Sequence, residues 1–457
     1  MLSFCDSNPG RDVFVTGIGL VTPLALSAGE TWNRLIKGDR AGRSLSANDI
    51  DHFEQLCEIP GLPVTGAPVN QCEVARLLAL ILKSSSIPVG VQAAWHSEPL
   101  VAMTLVALHE AMTQAGLQQL PADPQRTAVV FGSSKGGLRT AERLTQRLRS
   151  QIIPSPYMEQ HPSLATPGLP DLSGHVPDFG QLWMHAFQPD SATRAIAAIT
   201  GAQAGITCPV AACATGLIAV LQGAVMVHSG LCDVCIVGSA DSGLRASVMS
   251  SFHRLRVASR SCDAASACRP FDESRDGFLI GEGAGVMILE SRAHASARGA
   301  AGLAKVISGG WLSDPTGMTQ IDTSGAVVAE LLRRTGASGI SPPDVISLHG
   351  TGTESNDLAE SRGICEVFGD STPLCFGIKG AIGHLLGAAG SVETATAILA
   401  LSQKSVPGTT NLQAQDSQCR IRLHSQSQQR PELRRAAKLS LGFGGHVAFG
   451  LFEAADT

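Results

Sequence analysis

Cys213 sits in the stretch CPVAACATGLI (208–218), where small residues flank a thiol at the point where a buried strand should give way to a helix. At a helix N-terminus, free backbone N–H groups and the macrodipole favour a thiolate and can hold an oxyanion. Ala211, Ala212, Ala214 and Gly216 leave room for an acyl group to approach. The chemistry this suits is covalent: a thiolate that can attack and hold an acyl group. A buried packing cysteine is the simpler reading of Cys213 alone, and its partners reverse that reading.

Those partners are two histidines. His349 opens HGTGTESNDLAE at the expected end of a strand, and His384 lies in KGAIGHLLGAAG. Each is wrapped in glycine and small residues, which suits an open site better than a packed core. Cys213, His349 and His384 could together ligate a metal, but Lys379, five residues before His384, would place positive charge beside the cation. Asp357 and Glu360 are expected to orient Lys379 and the imidazoles. GSSKG (132–136) fits the G-x-S-x-G nucleophile-elbow pattern, which makes Ser134 a rival nucleophile. The glycines of GEGAG lead into a strand rather than a helix, so a dinucleotide fingerprint is rejected.

The elements that must position these groups repeat along the chain. TAVVFGSSKGG (127–137) and DVISLHGTGTE (344–354) are both apolar strands running into small-residue turns. AACATGLIAVLQGA and KGAIGHLLGAAGSVE both set a reactive side chain at a glycine-flanked helix start. GEGAGVMILE (281–290) and GFGGHVAFGLFE (442–453) both turn through glycines into a strand ending in Glu. Three features in the same order predict two related α/β halves, 11–291 and 302–455, joined near SRAHASARGAAG and bringing Cys213 to the histidines. Residues about 40–72 and 146–190 are poorly periodic excursions, the second a candidate lid or subunit contact.

Composition bounds the function. The 457 residues, 44% hydrophobic with 49 glycines and few aromatics, suit closely packed α/β layers. A net charge of −5 argues against a nucleic-acid footprint. No signal-peptide pattern and no bilayer-length apolar run is present, so a cytoplasmic protein is expected. The 12 cysteines are then mostly reduced, and Cys232 and Cys235, a C-x-x-C without a second pair, read as core residues.

The whole set of motifs resembles the β-ketoacyl-(acyl-carrier-protein) synthases, the elongating condensing enzymes of fatty-acid and type II polyketide synthesis. The likeness runs from VFVTGIGLVTPL to GFGGHVAFGLFE through AACATG, CRPFDESRDGFLIGEGAGVMILE, HGTGT and KGAIGHLLGAAG. It implies the thiolase fold, two duplicated α/β halves in five layers (α-β-α-β-α), and normally a dimer. Carried over by position, Cys213 is the acyl-accepting nucleophile and His349 and His384 handle the malonyl thioester. Lys379, Glu360, Asp357, Thr351 and Thr353 support them, and Phe443 is a gate whose N–H joins that of Cys213 as the oxyanion hole. No metal or organic cofactor is implied. The partners implied are acyl- and malonyl-loaded acyl carrier protein and a second subunit, either the same chain or a chain-length partner.

Carrier proteins are acidic, so Arg254 and Arg256, among six arginines between 245 and 275, are the expected docking residues. A thiolase-type enzyme acting on coenzyme A thioesters would need a second reactive cysteine late in the chain, where only Cys419 stands. A non-catalytic chain-length partner would lack the nucleophile. Three positions depart from the family pattern: Gly380 where serine is usual, Leu439 where asparagine is common, and His446-Val447 in place of Thr-Asn.

Overall fold

The computed structural model describes residues 2–4, 9–51, 53–83, 85–117, 123–152, 178–336 and 342–455. Most of the expected 146–190 excursion lies outside the described residues.

In chain order the first half carries β1 (Val13–Val21), α1 (Pro99–Ala115), β2 (Thr127–Gly132), β3 (Gly205–Thr207), α2 (Thr215–His228), β4 (Val234–Ser242), α3 (Ala246–Arg254) and β5 (Glu282–Ser291). The second carries β6 (Ala304–Ser313), α4 (Ala326–Arg334), β7 (Val345–Ser347), α5 (Glu354–Phe368), β8 (Leu374–Phe376), α6 (Ala389–Gln403), β9 (Arg435–Gly442) and β10 (His446–Ala454). The strands lie in the order β3-β2-β4-β5-β1 in one half and β8-β7-β9-β10-β6 in the other. Both orders read third, second, fourth, fifth, first. Within each, the second strand runs parallel to its neighbours and the fifth runs antiparallel to the fourth. A three-residue ladder of Val13–Val15 against Ala304–Val306 joins the two sheets.

Between the sheets lie α2 and α6, buried along nearly their whole length and without the polar stripe of a surface helix, the charged Glu393 of α6 being buried too. They touch through glycine. A Cβ on Gly216 would lie 2.2 Å from Ser391 N, and one on Gly390 would lie 2.5 Å from Leu217 N, so only hydrogen fits at that crossing. The outer layers include α1, against β1 and β5, and α4, against β6 and β10. This is the expected five-layer arrangement.

The duplication extends to local backbone. A single 3₁₀ turn, Ala212–Ala214, opens α2, and another, Leu386–Ala388, opens α6. Each starts on a non-glycine residue in the left-handed region, Ala212 at φ 47° and Leu386 at φ 54°. Such a residue costs about 1–3 kcal/mol and persists only where its surroundings hold it. At Ala212 the holder is Thr215, whose hydroxyl donates to Ala212 O at 2.7 Å and accepts from Ala211 N at 2.9 Å.

Candidate active site

Cys213 lies in that 3₁₀ turn at the head of α2. The strand before it differs from expectation: β3 is a short, half-exposed edge strand rather than a buried one, and four irregular residues separate it from the turn. His349 follows β7 directly. His384 sits between the helical turn Lys379–Ile382 and the 3₁₀ turn that opens α6, with its backbone tied to the first half by His384 N–Leu279 O (2.6 Å) and Gly281 N–His384 O (3.0 Å). The halves thus bring together what the sequence separates. The Cys213 sulfur and one nitrogen of each imidazole all lie within 4.8 Å of one another. The two rings stand edge to face, with centroids 5.3 Å apart.

Both imidazoles are buried and neutral. Burial drives each well below the usual histidine range, and the cations of Lys379 and Lys438 push the same way. Their tautomers are fixed by neighbours. Leu386 N donates to His384 Nδ1 at 3.2 Å, and the Lys379 ammonium lies 3.3 Å from His349 Nδ1. Each Nδ1 is therefore an acceptor, and each proton sits on Nε2. The site holds two neutral N–H donors and no cation on either ring. Beside a buried ammonium, the Cys-His-His cluster is poorly suited to hold a metal ion.

Cys213 is a thiol at rest: burial pushes it up to about 11, with Lys135 and Lys379 pulling the other way. It keeps some solvent access, as a nucleophile must. Since both Nδ1 lone pairs are committed, the thiolate draws on the start of α2 and the two lysines.

Lys379 is fully buried and spends its protons on His349 Nδ1, His349 O and a carboxylate. That carboxylate is Glu393, on α6, and not the expected Glu360. Glu360 instead accepts from the backbone N–H groups of His349 and Gly350, both at 2.6 Å, and from Asn356 at 2.9 Å. Asp357 accepts from Phe271 N at 2.7 Å and faces Arg275, which also bonds Asp416. Glu360 therefore holds the backbone at His349 and Gly350, and Asp357 that at Phe271 and Gly352, rather than Lys379 or the rings. Burial raises them to about 7 and about 6. Thr351 and Thr353 share a hydroxyl–hydroxyl bond of 2.8 Å two residues beyond His349.

The GFGG turn abuts the nucleophile, and a Cβ on Gly442 would lie 3.1 Å from Cys213 N. Phe443 follows at once, with its ring 6.4 Å from Phe252 on α3. Phe252 lies 5.4 Å from Phe278, which lies 4.9 Å edge-on to His384. Phe443 is the gate the sequence named, whereas Phe252, Phe278, Glu393 and Lys438 carry no sequence signal that singles them out.

The rivals fare differently. Ser134 bonds Asp241 and Lys135 rather than a histidine, so it anchors the turn. Cys419 is buried, donates to Asp357 O and is pushed up to about 12, which removes the late reactive thiol a thiolase needs. Cys232 and Cys235 are buried core residues. Gly380 has a physical cause, since a Cβ there would lie 2.3 Å from Thr410 O. Leu439 is fully buried in the second half's core, and His446 faces Ser313 at the end of the β9–β10 hairpin.

Residues 10–295 match the model of the β-ketoacyl synthase N-terminal domain, and residues 304–413 match that of the C-terminal domain. The chain is 29% identical over 455 residues to 3-oxoacyl-[acyl-carrier-protein] synthase 2 of Mycobacterium tuberculosis (strain ATCC 25618 / H37Rv), covering 96% of this chain and 97% of that one. It is equally 29% identical over 456 residues to a putative polyketide beta-ketoacyl synthase 1 of Streptomyces halstedii, covering 95% and 96%. Among solved structures it is similar to a type II polyketide synthase acyl-carrier protein in complex with its ketosynthase bound to the hexaketide. That match has 25% identity, a TM-score of 0.77, and covers 98% of this chain and 100% of that one.

Proposed function

The chain belongs to the β-ketoacyl synthase family, and from that premise we propose that it is a 3-oxoacyl-[acyl-carrier-protein] synthase in which Cys213, His349 and His384 perform a decarboxylative condensation. The observation that carries the reading is the convergence of one thiol with one nitrogen of each of two neutral imidazoles within 4.8 Å.

In the first half-reaction the Cys213 sulfur attacks an acyl thioester. The new C–S bond forms, the carrier's C–S bond breaks, and the cysteine proton leaves on the carrier thiol. In the second, the Nε2–H groups of His349 and His384 hydrogen-bond the thioester oxygen of a malonyl group. They stabilise the enolate as the C–CO2 bond breaks and CO2 departs. The enolate carbon attacks the acyl-cysteine carbonyl, whose oxyanion rests on the N–H groups of Cys213 and Phe443. Collapse releases the Cys213 thiolate and a 3-oxoacyl thioester two carbons longer. Lys379 holds His349 in its donor tautomer, Glu360 fixes the backbone beneath it, and Asp357, Thr351 and Thr353 brace the turn that follows. No step calls for a metal or an organic cofactor.

Arg254, Arg256 and Arg260, all exposed, line a groove of about 540 Å³ with Ile59, Pro60, Ser250 and His253. α3 links the groove to the site, because Phe252 packs on Phe278 and Phe443 while Arg254 faces outward. This supports docking of an acidic carrier there. Arg245 and Arg275 are instead buried in ion pairs.

The edge of β3 that no described strand pairs, with Ile206 47% exposed and Val210 just beyond it 58% exposed, supports a partner subunit, a second copy or a chain-length chain. We assign the halves to 11–291 and 302–455 and the location to the cytoplasm. No described helix is long and apolar enough to cross a membrane. Incubation with an acyl donor and malonyl-loaded carrier protein tests the function. A 3-oxoacyl-carrier product two carbons longer is expected, and its absence with active carrier would reject the assignment.

A further inference from the structure

Lys438 lies on β9 with its side chain completely buried, and the mechanism above gives it no task. Its ammonium donates to Leu348 O at 2.9 Å and forms an ion pair of 2.7 Å with Glu393 Oε2. The other oxygen of the same carboxylate holds Lys379. Two buried ammonium groups therefore share one carboxylate, and Lys379 in turn touches His349. The backbone beneath is wrapped on both sides: the lysines take the carbonyls of Leu348 and His349, and Glu360 takes the amides of His349 and Gly350.

A second buried cation is costly to fold around, so its retention needs a reason. With Lys438 absent, Glu393 would neutralise Lys379 alone, and the positive field would weaken at both rings, leaving Lys135 as the cation acting on His384. With Lys438 present, the Lys379–Glu393–Lys438 cluster keeps one net positive charge. The groups that face Lys438 are Glu393 from α6, Lys379 from the turn before His384, and Glu360 from α5. We propose that Lys438 is a positioning residue for the condensation half-reaction, holding Glu393 so that the cluster stays cationic and His349 and His384 stay neutral donors. Two observations agree with it: the charge of Lys438 depresses both histidines, and burial lowers Lys438 itself to about 8, leaving it charged at neutral pH.

This role rests on the condensing function. Lys438→Met keeps the length of the side chain and removes the charge, and Lys438→Met with Glu393→Gln removes one charge of each sign. The double variant leaves Lys379 as the net positive charge and still offers it an amide oxygen. Cys213 acylation is followed by intact mass, and condensation by single-turnover 3-oxoacyl formation between pH 5 and 8. The single variant should acylate within about threefold of the parent yet condense roughly tenfold or more slowly, its acid limb moved to higher pH. The double variant should bring the limb back.

An unmoved limb in the single variant, or a double variant that condenses no faster than the single, would make Lys438 a structural lysine only and overturn the proposal. Should the single variant not fold, the double variant decides: a parental limb supports the role and lost condensation refutes it. If the parent itself acylates without condensing, the functional reading fails first and takes this role with it. If the parent condenses and the variants fail as described, only the role of Lys438 falls.

Discussion

The ammonium of Lys379 lies 3.3 Å from Nδ1 of His349, and so one buried cation decides which nitrogen of that ring carries the proton. Lys379 comes from the turn that precedes His384, and His349 follows β7. The contact therefore ties into one unit the two histidines whose rings approach the thiol.

The histidines should separate the half-reactions. His349→Ala and His384→Ala should still acquire an acyl group at Cys213, whereas 3-oxoacyl formation should fall by about 10²–10³ for each, the usual loss when one oxyanion donor is removed. Acylation is read by intact mass and condensation by product chromatography. Near-parental product from either variant would take that residue out of the mechanism.

The pH dependence follows from the same burial. Both rings lie well below the usual 6.5, and a proton on either Nδ1 would face the Leu386 N–H or the Lys379 ammonium. Condensation by pre-acylated enzyme should therefore rise with pH only below 6.5 and be flat from there to neutrality. A stopped-flow profile with its midpoint at or above 6.5 would mean that the rings are not held neutral by the fold.

Gly380 should not tolerate the family's serine. The added Cβ would meet Thr410 O at 2.3 Å in a fully buried turn, so backbone must move. Gly380→Ser should lower stability by about 1–3 kcal/mol and slow condensation more than acylation, because Lys379 is the adjacent residue. Thermal and denaturant unfolding check the first effect, and unchanged stability would show that the loop around Thr410 yields freely.

Charge reversal in the arginine groove should act on encounter rather than chemistry. Arg256→Glu with Arg254→Glu should raise KM for carrier-bound substrate several-fold, and the difference should shrink as salt rises. A small thioester mimic without the carrier should react as before. Equal impairment with the mimic would place the docking surface elsewhere.

The sequence made much of this legible. Glycine-rich turns after apolar strands mark where strands end, and the internal repeat pairs Cys213 with His384 as two helix-start residues. Less legible were partners chosen by packing. Glu360 and Asp357 follow HGTGT and read as partners of Lys379, but one helical turn of α5 aims them at backbone amides instead. Glu393 and Lys438 sit in apolar runs, and only the crossing of α6 with β9 shows that they meet. The strand before Cys213 reads as buried, yet Gly205–Thr207 lies at the end of the sheet, paired on one side with β2 and on the other with no described strand.

The most direct measurement is a chase. The protein is loaded with an acyl thioester, freed of excess donor, and mixed with malonyl-loaded carrier protein, while peptide mass mapping follows Cys213 and gas analysis follows CO2. The account predicts an acyl adduct confined to the Cys213 peptide that disappears with one CO2 and one 3-oxoacyl-carrier formed per adduct lost. An adduct on another residue, or an adduct on Cys213 that survives the chase while CO2 is released, would contradict it.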